Sequence, residues 1–156
     1  MKLNSWLKNW KLDSLKINAK FLEASFKFSN KDTAAAWDMY VELITRSSTQ
    51  HLTPDQGDER RALESIKEIF SIAREIIKRN GPECINFTKI SVVILNQVIR
   101  PFTTKWHGLA LADAFSDKGN CKKFRSELKD LQSTLRNYTR MLAAMSEVED
   151  ITDIEK

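Results

Sequence analysis

The chain has 156 residues, of which 42% are hydrophobic and 29% charged, with a formal net charge of +4. That length suits one domain around one core, and the balance is that of a globular chain rather than a disordered one. Only four glycines and three prolines argue against many short strands joined by turns, and for a few long helices.

No apolar run reaches the roughly 18 residues of a membrane span. The nearest, residues 85–99, is interrupted by Asn86, Lys89, Asn96 and Gln97. The opening MKLNSWLKNWK has no continuous apolar region and no small-residue cleavage site, so it does not read as a signal peptide. Cys84 and Cys121 stand alone and read as reduced thiols, and the expected setting is the cytoplasm. Charge is uneven. Residues 1–31 hold seven lysines against Asp13 and Glu23, or +5. Residues 118–140 hold seven Lys/Arg against Glu127 and Asp130, also +5, and residues 146–156 hold five acids against Lys156, or −4. Such a basic body can bind polyanions, the acidic tail can neutralise it, and solvated helix faces explain the same pattern more simply.

In chain order, Leu3, Trp6, Leu7 and Trp10 share one face of a short amphipathic turn. Four apolar residues bury too little area to hold a membrane firmly, so the turn is expected to pack on its own domain or on a partner protein. Over 15–28, Leu15, Ile17, Ala19 and Phe21 alternate with polar residues, as do Leu22, Ala24, Phe26 and Phe28. The alternation and the aromatic content predict an extended pair, as in a β-hairpin, although Leu15, Ala19, Leu22 and Phe26 also fit helical spacing.

Asp32 is the expected N-cap of a helix over 33–49 with Ala36, Trp37, Tyr40, Leu43, Ile44 and Ser47 on its apolar face. After the loop QHLTPDQGD, Asp58 is expected to cap a second helix, with Glu59 at its start and Lys78 and Arg79 near its end matching the helix dipole. Gly81–Pro82 should stop it. A third helix over about 84–99 is apolar almost all round, which predicts a central position held by burial. Pro101 should break or kink it before a continuation to about Phe115, and 116–120 reads as a turn. In the last helix Phe124, Leu128, Leu131, Leu135, Tyr138, Leu142 and Met145 form a heptad seam, expected to pack inside the molecule. The tail after Met145 is expected to fray.

The segment Arg100-Pro-Phe-Thr-Thr-Lys-Trp-His107 draws most attention. A helix starting at Pro101 would present free backbone N–H groups, the Thr103 and Thr104 hydroxyls, and the charges of Arg100 and Lys105, which together suit an anion, with Arg46 as a further ligand. His107 adds an imidazole, the side chain that exchanges protons most readily near neutrality. The simpler reading is that the proline turns the chain while Phe102 and Trp106 pack. Asp38, Glu42 and Arg46 form a polar stripe best read as intrahelical pairing. His51, Cys84, His107 and Cys121 lack the paired short spacings of a zinc site, and no phosphate-loop, dinucleotide, nucleophile-elbow or zinc-protease motif is present. The sequence therefore points to no catalytic residue, metal or cofactor. Lys122, Lys123, Arg125, Lys129 and Arg136 are candidates for unspecific nucleic-acid contact, without a helix-turn-helix or stacking platform beside them.

WDMYVELITR (37–46), GDERRALESI (57–66), LNQVIRPFTTKWH (95–107) and LRNYTRMLA (135–143) together resemble a family of small, uncharacterised bacterial helical proteins with an RPFTxKWH signature. The resemblance implies a loose association with antiviral defence gene clusters and brings no established activity. The expectation is a mainly α protein, an antiparallel four-helix bundle. It has an N-terminal amphipathic turn and strand pair or irregular element over 1–31, a helical body over 32–145 and an acidic tail over 146–156. The expected role is a non-enzymatic protein-interaction module or small subunit, with Trp6 and Trp10 as partner-binding residues and another protein or a second copy as partner. The alternative is a binder of a phosphate-bearing ligand, nucleotide or nucleic acid, around Arg100–His107.

Overall fold

The computed structural model describes residues 2–23, 27–46 and 58–154, and over these the chain is mainly helical, with no β-sheet. Helix α4 (Glu59–Asn80) obeys its sequence signals at both ends. The Asp58 side chain accepts from the N–H groups of Arg60 and Arg61, and Lys78 and Arg79 lie in the last turn. Gly81 follows at φ +76°, a left-handed backbone that any other residue would adopt under strain. The inner face of α4, from Leu63 through Ile66, Ile69 and Ala73 to Ile76, is buried.

Helix α3 (Asn30–Ile44) begins three residues earlier than expected. Ser29 is the N-cap, and Asp32 is the third helical residue of a reciprocal capping box. Asp32 is fully buried because it serves a second helix as well. Its Oδ1 accepts from the Phe87 N–H at 2.8 Å, in the first turn of α5 (Ile85–Ile94). Its Oδ2 accepts from Ser29 N–H at 2.9 Å and from Asn86 Nδ2 at 3.3 Å. One carboxylate thus faces two positive helix ends, which is how a charge can be kept in the interior. The end of the predicted helix, at 47–49, lies outside the described residues.

Pro101 does not break the next helix. Helix α5 runs through a π-helical turn, Leu95–Ile99, into α6 (Arg100–Leu111), and the backbone at Ile94, Leu95, Ile99 and Arg100 stays helical throughout. The Arg100 N–H bonds five residues back to the Leu95 carbonyl. A proline in a regular helix would drive its ring against the carbonyl four residues earlier, here that of Gln97. The wider turn gives that carbonyl room, so the helix absorbs the proline rather than ending at it.

Helix α7 (Lys118–Met145) is capped by Asp117, whose side chain accepts from Gly119 N–H. The turn before it lies at 112–117, earlier than expected. All seven seam residues from Phe124 to Met145 are buried, so the seam packs inside the molecule. The tail does not fray at Met145. Glu147 adopts φ +57°, and the Val148 N–H returns to the Ala143 carbonyl, closing the helix with a Schellman turn. The chain then folds back: the Ile151 N–H bonds the Tyr40 hydroxyl at 2.9 Å, and Asp153 pairs with Arg140.

Near the N-terminus, α1 (Leu3–Asn9) buries Leu3, Trp6 and Leu7 in the core, with Trp6 5.1 Å from the Phe28 ring. The strand pair expected over 15–28 is absent among the described residues. Residues 19–23 form a short helix, α2 (Ala19–Glu23), started by Asn18, whose side chain accepts from the Lys20 N–H at 2.9 Å. The helical spacing of Leu15, Ala19, Leu22 and Phe26 is not realised either, since Leu15 precedes the helix and Ala19 is exposed, and it is Phe21 and Leu22 that pack, partly buried, against the core. Ala24 and Phe26 lie outside the described residues.

Candidate functional site

Within the segment 100–107, Phe102, Thr103 and Trp106 are buried, while Arg100, Thr104, Lys105 and His107 are exposed. Trp106 is fully buried, stacked 5.8 Å from Phe115 and edge-on to Phe124 at 5.1 Å, and Phe102 joins the cluster 5.4 Å from Phe124. The Trp106 indole N–H donates to Glu127 at 2.8 Å, and Lys105 Nζ donates to the other oxygen of the same carboxylate at 2.5 Å. Burial alone would raise the Glu127 pKa, but these two hydrogen bonds and the lysine charge outweigh it and bring the carboxyl below its ordinary value.

Arg100 lies over the Phe70 ring at 4.8 Å and donates to Asn96 at 3.1 Å. Thr103 is buried and its hydroxyl donates to the Arg100 carbonyl. Thr104 and His107 are exposed, and His107 Nδ1 lies 3.3 Å from Lys67 Nζ. Arg46 pairs with Glu42 at 3.5 Å and Glu68 at 2.9 Å. The helix start that was to supply free N–H groups at Pro101 does not exist, because the chain is already helical there. That correction removes the main donors of the expected anion site. A hollow of about 350 Å³ does lie between α6 and α7 beside Lys105, but Lys105 is already paired with Glu127.

Trp6 is 7% exposed and belongs to the core cluster. Trp10 is half-buried, and its indole N–H is buried without a hydrogen-bond partner among the described residues. Of the basic residues on α7, Arg125 pairs with Glu59 at 2.7 Å. Lys122, Lys123 and Lys129 are exposed and Arg136 half-exposed. No group of three or more His, Cys, Asp or Glu that could hold a metal occurs among the described residues, and no helix there is long and apolar enough to cross a membrane. Burial pushes the Cys121 thiol up, away from the thiolate form that would react.

What sequence reasoning missed is a groove on the outer side of α5. It measures about 700 Å³ and lies between residues 16–21 and the outward face of α5. Ile17, Phe21, Val92 and Val93 form its floor, and Lys16, Lys20 and Lys89 its rim. The Lys89 ammonium sits 4.4 Å from the Phe21 ring centre and narrows the groove at one point. None of the three lysines forms an ion pair among the described residues. Gln97, on the π-helical turn, ties Lys16 to the helix: its side-chain amide bonds both the N–H and the carbonyl of Lys16, at 2.7 and 2.5 Å.

The central position expected for a helix apolar almost all round holds for one side of α5 only. In the structure the inner residues Phe87, Ile90 and Ile94 are buried, whereas Val92 is 42% and Ile85 49% exposed. Surplus apolar area on the outer side of a helix is what a binding face displays. No family model matches the chain, and no curated protein or solved structure is significantly similar to it.

Proposed function

We propose that the protein is a non-enzymatic interaction module that holds a segment of a partner protein in the groove between residues 16–21 and α5. The observation that carries the reading is an apolar floor bounded by three lysines that form no ion pair among the described residues. A floor of Ile17, Phe21, Val92 and Val93 supplies desolvation energy, and the lysine rim selects by sign of charge. The occupant that fits is an amphipathic segment with apolar side chains on one side and carboxylates along its edges. The supporting frame is the antiparallel four-helix bundle in which α5 and α6 count as one helix. The resemblance around RPFTTKWH suggests, as the setting, a small cytoplasmic subunit of a bacterial complex in antiviral defence.

The test places a photo-reactive residue at position 92 and captures partners from native cells. It is paired with Val92→Glu and with Lys20→Glu combined with Lys89→Glu. The expected result is a crosslinked partner segment that alternates apolar and acidic residues, with capture lost in both variants while their melting temperatures stay near that of the parent. Undiminished capture by Val92→Glu would overturn the proposal. Crosslinks formed only to other copies of this chain would overturn it as well.

A further inference from the structure

Helix α7 carries a second surface that the groove does not explain. At about 100° per residue, Lys118, Lys122, Arg125, Lys129, Arg136 and Arg140 all fall within an arc of about 60° on the helix surface. Every position of α7 from 118 to 140 inside that arc is Lys or Arg. The arrangement extends over 22 residue steps, or about 33 Å at the helical rise. The two carboxylates within this part of the helix, Glu127 and Asp130, sit at least about 80° round from the edge of the stripe, and Glu127 is turned to Trp106 and Lys105. Lys118, Lys122, Lys129 and Arg136 make no ion pair among the described residues.

We propose that this stripe binds the phosphodiester backbone of a nucleic acid, without reading its sequence. A straight file of cations about 33 Å long matches about one turn of a duplex, so it meets the phosphates where the two backbones cross it. The flanking residues decide between polyanions. On the solvent side the stripe is bordered by Ser126, Ser133 and Asn137, which can donate to phosphate oxygens. It offers no apolar residue to insert into a lipid surface and no apolar centre of the kind a protein interface needs.

The tail supplies an independent observation. Asp153 pairs with Arg140 at the end of the stripe, where a phosphate oxygen would bind. The tail therefore competes with the ligand for that end of the stripe.

The test is fluorescence anisotropy of the full chain with a labelled 24-base-pair DNA duplex and a 24-nucleotide RNA, at 50 and 200 mM salt. Four phosphates neutralised would give an affinity loss of about 100-fold across that range. Reversing Lys122, Lys129 and Arg136 together to Glu should lower the 50 mM affinity by about 100-fold or more with the helical circular-dichroism signal retained. Asp153→Asn should raise it by about two- to five-fold. Lys16→Glu with Lys20→Glu, at the groove, should lower it far less than the triple reversal does, which separates this surface from the one proposed above. The absence of binding at 50 mM would overturn the inference. So would binding unaffected by the triple reversal, or binding of anionic vesicles containing phosphatidylserine without binding of either nucleic acid.

Discussion

The helix running from Ile85 to Leu111 has two halves completed to different degrees. In the α6 half, Trp106 lies inside an aromatic cluster, Lys105 shares a carboxylate with its indole, Arg100 rests on Phe70 and Thr103 bonds within its own helix. In the α5 half, Val92 and Ile85 face outward and Lys89 has no carboxylate partner among the described residues. The α6 half is rich in residue types that catalyse and bind, and most of these are engaged by neighbours within the molecule, although Thr104 and His107 are exposed and Leu109 and Leu111 face outward at its far end. The α5 half has plain aliphatic residues, and their exposure marks a surface for something else. Chemical character in a sequence and availability in a fold are separate properties, and here they point to different ends of one helix.

The contrast can be broken by substitution. The largest effect belongs to Trp106→Ala, which empties the centre of the aromatic cluster and frees Glu127 from one donor. It should cost about 4 kcal/mol, read as a lower urea midpoint. Next comes Asp32→Ala, which removes the carboxylate that ties α5 to α3 and leaves the Phe87 N–H buried without its acceptor. About 3 kcal/mol is expected, again by urea unfolding. A loss under about 1 kcal/mol would mean that water replaces the carboxylate.

Glu127→Gln should give a smaller loss with a defined pH dependence. The folded-state pKa is lowered, so the carboxylate's contribution is fully present above the ordinary glutamate pKa of about 4.3. It disappears as pH falls through the lowered folded value. The stability gap between wild type and Glu127→Gln should therefore be widest near neutrality and close in acid, as measured by thermal melts from pH 7 downward. A gap constant with pH would show that the charge of Glu127 is immaterial. The smallest change is Val92→Ser, expected within about 0.5 kcal/mol of wild type despite removing an aliphatic residue from a helix. Destabilisation above about 2 kcal/mol would show that Val92 belongs to the core, and the contrast between the halves would fail.

The sequence made α4 legible at both ends, because Asp58 and Gly81 act on their immediate neighbours and their signals are local. The seam of α7 was equally plain, since seven residues repeat in phase. The start of α3 was misplaced by three residues because Asp32 has the chemistry of a cap, whereas Ser29 with Asp32 three positions on is the fuller capping-box signal. The strand pair failed where two periodicities overlapped, and the short helix that forms there leaves Phe21 and Leu22 only partly buried against the core. The groove was beyond local reading altogether. It depends on residues 16–21 lying against a helix more than sixty positions later, fixed by the Gln97 amide, and nothing near either segment announces the other.

The wide turn at Leu95–Ile99 has a further consequence for how this helix can change. It acts as an inserted residue, so α5 and α6 are out of register with each other by about 100° relative to an unbroken helix. Closing the turn to a regular α-helix with no residue removed would rotate Phe102, Trp106 and Ala110 together by about 100° away from Phe124, whereas deleting one residue there would leave both halves facing as they do now. The two halves are thus phased independently. The outer face of α5 can drift toward a new partner without altering which side of α6 meets the interior.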